Sequence, residues 1–310
     1  MKKRIMVLCN PISGAGRAMM IGQSISQCLS DAGHEVDICQ TRLEPTEDWL
    51  DAALSGIDVL VVAGGDGAVR LAAASAARAG TPIYQVPCGT ENLFAREFGM
   101  TRSPHALCRA IERFATRRVD MGVANGRIFL LMASVGFDAD VVHDLASRRG
   151  SSISHFSYVT PIIAQLWRWR PPRLDISVDG ERVVHGEPGF VVVANSRQYG
   201  WRINPAARAV MDDGMLDIAF FPGGSRRALI AWAIRCRWQR HLRNPRLIYR
   251  NGRSVSIASS TRQRFQLDGD PPDVSREFSV SETDVRAEMP QEPFKLEISI
   301  KPGCLSVLIP

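Results

Sequence analysis

Three stretches of this chain hold residues whose types and spacing could handle phosphate. Val61-Val62-Ala63-Gly64-Gly65-Asp66-Gly67 is an apolar run that stops at a glycine-rich turn. Such a run reads as a buried strand, and its glycines let backbone approach a ligand with no Cβ in the way. The turn lies where an open α/β sheet receives ligands, at the carboxyl end of a strand. Pro87-Cys88-Gly89-Thr90-Glu91-Asn92 repeats the device after a shorter strand, and Asn10-Pro11-Ile12-Ser13-Gly14-Ala15-Gly16 does so after the first. Free N–H groups at such turns and at helix starts attract anions, so the pattern suits a phosphate cradle made of backbone. The first of these turns in the chain has no Gly-Lys-Ser/Thr and so is not a Walker loop. Taken singly, it reads equally as a plain strand–helix turn.

Acids accompany these turns. Asp66 cannot touch phosphate directly, because like charges repel. It could bind Mg²⁺ that bridges phosphates, or it could hold backbone N–H groups of a turn. Asp268-Gly269-Asp270 follows a strand, Arg264–Leu267. Phosphoryl transfer to a hydroxyl needs a carboxylate to accept the hydroxyl proton, and this pair could supply one. Asp-Gly is also a good hairpin turn.

The elements that must position these residues fall into two halves. Strands are expected at Ile5–Cys9, Glu35–Gln40, Ile57–Ala63 and Ile83–Val86. Helices are expected at Arg17–Ala32, Thr46–Leu54, Ala68–Arg78 and Asn92–Phe98. That alternation is the rhythm of a parallel sheet with helices on its faces. After Arg118 the pattern becomes short strands joined by Gly, Asn and Asp turns. They are Val119–Val123, Arg127–Val135, Leu174–Val178, Glu181–His185, Gly189–Asn195, Met215–Phe220, Ser254–Ala258 and Arg264–Leu267. Two long helices interrupt them, Asp138 to Trp169 and Arg226 to Arg243. The expected class is α/β plus β: a parallel-sheet domain over residues 1–120, then an antiparallel β-sandwich over residues 121–310. The polar stretch 271–293 reads as a loose loop. Phe294 to Pro310 is apolar enough to be ordered, with the last residues docking on a domain.

Composition narrows the partners. The chain has 310 residues, 45% of them hydrophobic, and a net charge of +6. Length allows two domains and a sizeable core. The basic balance favours anionic partners without choosing among nucleotides, acidic lipid surfaces and nucleic acid. Seven cysteines without CxxC spacing point to reduced thiols and a cytoplasmic setting, with no zinc site or disulfide framework. The six histidines are scattered without ligand spacing. The first apolar run, Ile5 to Cys9, is too short for a signal peptide, and Ala228 to Ile234 is far short of a bilayer span.

The ordered pair Gly64-Gly65-Asp66-Gly67 and Pro87-Cys88-Gly89-Thr90-Glu91-Asn92 resembles the diacylglycerol kinase catalytic family, which includes bacterial lipid kinases and sphingosine kinases. Asn195-Ser196-Arg197-Gln198-Tyr199-Gly200, Asp212-Asp213-Gly214-Met215-Leu216-Asp217 and Asp268-Gly269-Asp270 extend the resemblance over nearly the whole chain. It implies an active site between a nucleotide-binding domain and a sandwich. ATP with Mg²⁺ would be bound by Asn10, Pro11, Ser13, Gly14, Thr41, Gly64, Gly65, Asp66, Gly67, Arg70, Gly89, Thr90 and Asn92. It also implies catalysis by the Asp268/Asp270 pair, with Asp66 nearby. A structural Mg²⁺ or Ca²⁺ would sit on Asp213 and the carbonyls of Val210 and Met215, although those residues read equally as a turn. The chain departs from the family at Ala68 and Leu71, where Thr and Glu are usual. It also departs at Leu93, where many diacylglycerol kinases carry Asp, and at Asp270, which stands in for Glu.

The expected function is therefore an ATP-dependent lipid kinase that phosphorylates a diacylglycerol-like or long-chain-base lipid, peripheral to an anionic membrane. Trp167 to Arg170 and Trp232 to Arg243 mix Trp with Arg, which suits an anionic lipid interface or RNA. It also suits a helix packed by its Trp face. No nucleic-acid partner is expected, and a homodimer is compatible with the sequence. The rivals are a soluble NAD kinase, whose second motif usually carries Asn-Asn-Glu, and a catalytically silent member that binds lipid or nucleotide.

Overall fold

The computed structural model describes residues 2–14, 16–42, 44, 46–147, 159–272 and 293–310. The chain opens with β1 (Arg4–Cys9), α1 (Arg17–Asp31), β2 (Glu35–Gln40), α2 (Thr46–Ala53), β3 (Val59–Gly64), α3 (Asp66–Ala79) and β4 (Ile83–Pro87). These strands pair in parallel, in the order β2-β1-β3-β4. β3 is apolar and buried along its whole length, as a parallel strand covered on both faces must be. The chain leaves β1 toward one edge and returns through β3 on the other side. This switch point leaves a crevice at the carboxyl ends of β1 and β3.

Two helices follow, α4 (Leu93–Phe98) and α5 (Pro104–Arg113), and then β5 (Thr116–Ala124), β6 (Arg127–Phe129) and β7 (Met132–Val135). The remaining elements are α6 (Phe137–Ser147), α7 (Val159–Arg168), β8 (Arg173–Val178), β9 (Glu181–Ala194), β10 (Leu216–Pro222) and α8 (Arg226–Arg237). They end with β11 (Ile248–Gly252), β12 (Ser254–Ser259), β13 (Phe265–Leu267) and β14 (Phe294–Leu308). One antiparallel layer runs β8-β12-β14-β5-β6, and the other runs β11-β10-β9-β7-β13. Val135, Val191, Val193, Ile218, Ile257, Leu296 and Ile298 fill the space between them. β14 also reaches the parallel sheet, where Val307 pairs with Ile83 of β4. Among the described residues no helix is long and apolar enough to cross a membrane.

Several expected elements differ. Arg127–Val135 is two strands, because Leu130, Leu131 and Met132 turn their N–H groups toward Asp268. Glu181–His185 and Gly189–Asn195 are one strand, β9. Its first half pairs with β8 and its second with β10 and β7, so it passes from one layer to the other. The helix expected from Asp138 to Trp169 is α6 and α7, with residues 148–158 outside the described residues. The helix expected to run to Arg243 stops at Arg237; Gln239 has a positive φ, and a short 3-10 turn follows at His241–Arg243. Most of the expected loop at 271–293 lies outside the described residues.

Candidate active site

The three glycine-bearing turns meet at the switch-point crevice. Asn10 extends β1 by donating its N–H to Ala63 O at 3.1 Å, and its side-chain oxygen accepts from Ile12 N. Ser13 N closes on Asn10 O, so Pro11 and Ile12 form a tight turn that ends at Gly14, whose φ is +60°. Thr41, the first residue after β2, donates its N–H to Cys9 O and so joins the same rim. A Cβ on Gly14 would stand 2.7 Å from Cys88 O in the turn after β4. A Cβ on Gly89 would stand 2.7 Å from the Cα of Gly65. Backbone touches backbone here, and only glycine on both sides permits it.

Polar side chains lock the turns together. Asp66 is the first residue of α3, and its carboxylate accepts Leu93 N at 2.9 Å and Phe94 N at 3.0 Å, at the start of α4. Asn92 precedes α4 with φ +50°; its amide accepts from Gly89 N and donates to Gly89 O, folding Thr90 and Glu91 into a closed loop. Gln85, buried within β4, donates to Gly64 O at 3.1 Å and accepts from Ala95 N at 2.7 Å. Sequence reasoning missed Gln85. The available signal was a lone polar residue inside the apolar run Ile83–Val86, since buried polar groups in a strand have partners.

The sandwich supplies the other acids. Asp268 is buried with φ +53°, and its two oxygens accept the N–H groups of Leu130, Leu131 and Met132 at 2.8, 2.8 and 3.0 Å. Burial pushes its carboxyl above the ordinary range, opposed by Arg70 and those three amides. Asp270 lies two residues on, with its side chain 21% exposed and its Oδ2 receiving Arg70 Nη2 at 3.4 Å. The same oxygen would be 2.8 Å from a Cβ on Gly67, so the carboxylate lies against the backbone of the β3–α3 turn. Asp66, Asp268, Asp270, Gly67 and Arg70 thus converge, although residues 67 and 270 come from different halves of the chain. Burial, with smaller contributions from Asp268 and Asp270, pushes the Asp66 carboxyl up to about 6.

A polar chain backs the Asp268–Asp270 turn. Gly269 N donates to Gln266 Oε1, Gln266 Nε2 donates to Ser134 Oγ, and Ser134 Oγ donates to Asp138 Oδ2 at 2.5 Å. Tyr199 OH reaches the same Asp138 oxygen at 2.6 Å. Arg96 of α4 bonds Gln198 Oε1 and Tyr199 O, both at 2.7 Å, joining the Gly89–Asn92 turn to the 195–200 segment. Asp138, Gln266 and Arg96 were not singled out from sequence, because partners so distant in the chain leave no local spacing signal.

Asp66 and Asp268 commit their oxygens to backbone amides, so a magnesium ion here would arrive held by nucleotide phosphates and meet chiefly Asp270. Asp268 and Asp270 add to the burial that raises the Asp66 carboxyl, and a divalent cation would offset that repulsion. Gly65 and Gly89 pack backbone on backbone, so a Cβ on either would push the two turns apart. By contrast, the residues expected to hold a structural ion lie outside this cluster, before β10. Asp213 is exposed and accepts Met215 N at 3.0 Å, and Val210 lies on the same connection. Nearby, the buried Asp120 accepts Gly214 N and Gly303 N at 2.7 and 2.6 Å, and so fastens that turn to β14. Among the described residues no group of three or more His, Cys, Asp or Glu is placed to hold a metal ion, so an ion at 210–215 would rest chiefly on carbonyls and one at the acidic cluster chiefly on the nucleotide's phosphates.

Comparison with known proteins identifies the family. Residues 4–124 match the family model of the diacylglycerol kinase catalytic domain, and residues 132–309 match that of the YegS C-terminal NAD kinase beta sandwich-like domain. A diacylglycerol kinase of Mycobacterium tuberculosis (strain ATCC 25618 / H37Rv) is 31% identical over 235 residues, covering 73% of this chain and 76% of its own. A diacylglycerol kinase of Bacillus subtilis (strain 168) is 25% identical over 275 residues, covering 86% and 90%. The crystal structure of a diacylglycerol kinase from Bacillus anthracis str. Sterne shares the fold, with a TM-score of 0.66 at 17% identity over 100% of this chain and 97% of its own. The glycine turns, the converging carboxylates and both matched halves agree, and the chain belongs to the diacylglycerol kinase catalytic-domain family.

Proposed function

We propose that the protein is a lipid kinase that transfers the γ-phosphoryl group of ATP to a hydroxyl of a diacylglycerol-like or long-chain-base lipid. The observation that carries this reading is the meeting of Asp66, Asp268 and Asp270 beside the paired glycines Gly65 and Gly89. Backbone N–H groups of the turns at Gly14, Gly65 and Gly89 would hold the nucleotide phosphates, with Thr41 and Thr90 at the rim and Arg70 adding positive charge. Mg²⁺ brought with the nucleotide, beside Asp270, would neutralise phosphate charge when the site is filled.

Within the acidic pair the two roles separate. Asp268 commits its oxygens to three backbone amides, so it holds the loop that carries Asp270. The more exposed Asp270 takes the hydroxyl proton, with Arg70 Nη2 3.4 Å from its Oδ2. Asp66 spaces the two phosphate turns. The structural-ion assignment at Asp213, with the carbonyls of Val210 and Met215, remains part of this proposal, as does action at a membrane surface.

A soluble NAD kinase is the second reading. It is favoured by the match of residues 132–309 to an NAD kinase-like sandwich. Incubating the protein with labelled ATP and Mg²⁺, first with dispersed lipids and then with NAD⁺, separates the two. Label in lipid supports the proposal, and label in NAD⁺ alone replaces it.

A further inference from the structure

Helix α8 carries two apolar stripes where a surface helix needs one. Its inward stripe is Leu229, Trp232 and Cys236, all buried; the Trp232 indole N–H donates to Pro222 O at 2.9 Å and the ring packs on Phe221. At about 100° per residue, Ile230, Ile234 and Arg227 lie on the opposite side, with Arg226 and Arg237 on its flank, and Trp238 caps the end of the helix. Ile230, Ile234 and Trp238 are 45%, 50% and 66% exposed. That side of a surface helix is ordinarily polar. The helix, Arg-Arg-Ala-Leu-Ile-Ala-Trp-Ala-Ile-Arg-Cys-Arg, contains no acidic residue.

A second helix meets α8 at its first residue. Trp167 of α7 is 67% exposed, and the Arg226 guanidinium lies 5.1 Å from its ring centre and bonds its carbonyl. Ile163, one turn earlier, is 50% exposed. Of the tryptophans flagged in these segments, Trp169 and Trp232 belong to the core, and Trp167 and Trp238 face outward.

We propose that this outer face, Ile230, Ile234 and Trp238 with Trp167 beside them, docks the protein on an anionic lipid surface. The purpose of such docking rests on the lipid kinase reading above. A double-chain lipid stays in its bilayer because each exposed methylene costs about 0.8 kcal/mol, so the enzyme must reach it there. Charge decides among occupants. Indole and isoleucine side chains enter the boundary between headgroups and acyl chains, while guanidinium groups bind the negative headgroups. A second copy of the chain seated on the same face would bring Arg226, Arg227 and Arg237 of both copies together, with no acid from α8 to pair them.

Vesicle co-sedimentation with phosphatidylcholine alone and with added phosphatidylglycerol tests this, comparing the wild type with an I230S/I234S/W238S variant at low and high salt. The wild type should sediment with the anionic vesicles and be released by salt. The variant should partition at least about tenfold less. Both should phosphorylate a dispersed short-chain lipid at similar rates. Should the triple variant misfold, Trp238→Phe alone should lose the part of the vesicle-induced blue shift that Trp238 contributes. Equal vesicle binding by the variant overturns the proposal. So does a wild-type dimer that the substitutions dissociate, which would make the face an interface between copies. Failure of both proteins on dispersed lipid counts against the kinase reading instead, and leaves the vesicle comparison to judge the docking face.

Discussion

Asp66 and Leu93 are joined at 2.9 Å, side-chain carboxylate to backbone N–H, across the gap between two turns suited to phosphate. With Phe94 N at 3.0 Å, this side chain fixes the separation of the two turns together with the Gln85 bridge from Gly64 O to Ala95 N. The acid of the Gly-Gly-Asp-Gly turn therefore acts here as a spacer.

This arrangement predicts a pH dependence. Burial raises the Asp66 carboxyl to about 6 in the folded protein, whereas an unfolded chain releases that proton near 3.9. The folded state therefore binds more protons between those values, and its stability falls as pH rises through them, by at most about 1.4 kcal/mol per pH unit. Asp66→Asn should remove that contribution while losing an acceptor for one amide. Urea melts from pH 4 to 7 should show the wild type losing stability relative to the variant as pH rises; parallel profiles would contradict the assignment. Affinity for Mg²⁺–ATP should rise over the same interval as the carboxylate forms.

Gly89→Ala should separate the phosphate turns. Its Cβ would lie 2.7 Å from the Cα of Gly65, and backbone on both sides cannot give way cheaply. A cost of about 1–3 kcal/mol is expected from overpacking. Nucleotide affinity should fall with it, and Gly65→Val should abolish binding in a folded protein. Calorimetry that finds wild-type ATP affinity in either variant would show that the phosphates bind elsewhere.

The two acids of the Asp268-Gly269-Asp270 turn should separate by phenotype. Asp270→Asn keeps the shape and loses the base, so turnover should fall by about 10²–10⁴-fold at unchanged ATP affinity. Asp268→Asn presents an NH₂ group to three N–H donors and leaves at least one of them without an acceptor, costing about 1–3 kcal/mol of stability. Thermal melts and steady-state kinetics on both variants check this. A stable, inactive Asp268→Asn with an active Asp270→Asn would exchange the roles.

The turn before β10 gives a separate test. If Asp213 with the carbonyls of Val210 and Met215 holds a divalent ion, Mg²⁺ should raise the melting temperature without nucleotide, and chelation should reverse it. Asp213→Ala should abolish that rise. A rise unaltered in the variant would move the ion to the acidic cluster.

Much of the site was legible in local sequence, because strand-ending glycine turns announce themselves through composition. The apolar run to Gly64 and the Gly89-Thr90 turn marked where the turns lie. What sequence could not show was produced by the chain's return from the sandwich. Nothing near Gly67 indicates that Asp270 will lie against it, and nothing near Leu130 indicates that Asp268 will break its strand. The long β9 read as two strands because Gly186 to Gly189 looks like a turn, yet the strand only changes partners there. The helix expected through Arg243 failed for a local reason, the left-handed backbone at Gln239, a conformation more usual for Gly or Asn. Trp232 and Trp238 share one helix end, and only packing shows that the first is core and the second is exposed.

The central claim is phosphoryl transfer from ATP to a lipid hydroxyl at the Asp66, Asp268 and Asp270 cluster. The most direct measurement is transfer of label from γ-labelled ATP to a panel of dispersed diacylglycerols and long-chain bases, with and without Mg²⁺, for the wild type and Asp270→Asn. The account predicts Mg²⁺-dependent label in at least one lipid with the wild type, and loss of that label in the variant. Absence of label from every lipid, with label appearing in NAD⁺ under the same conditions, would contradict it.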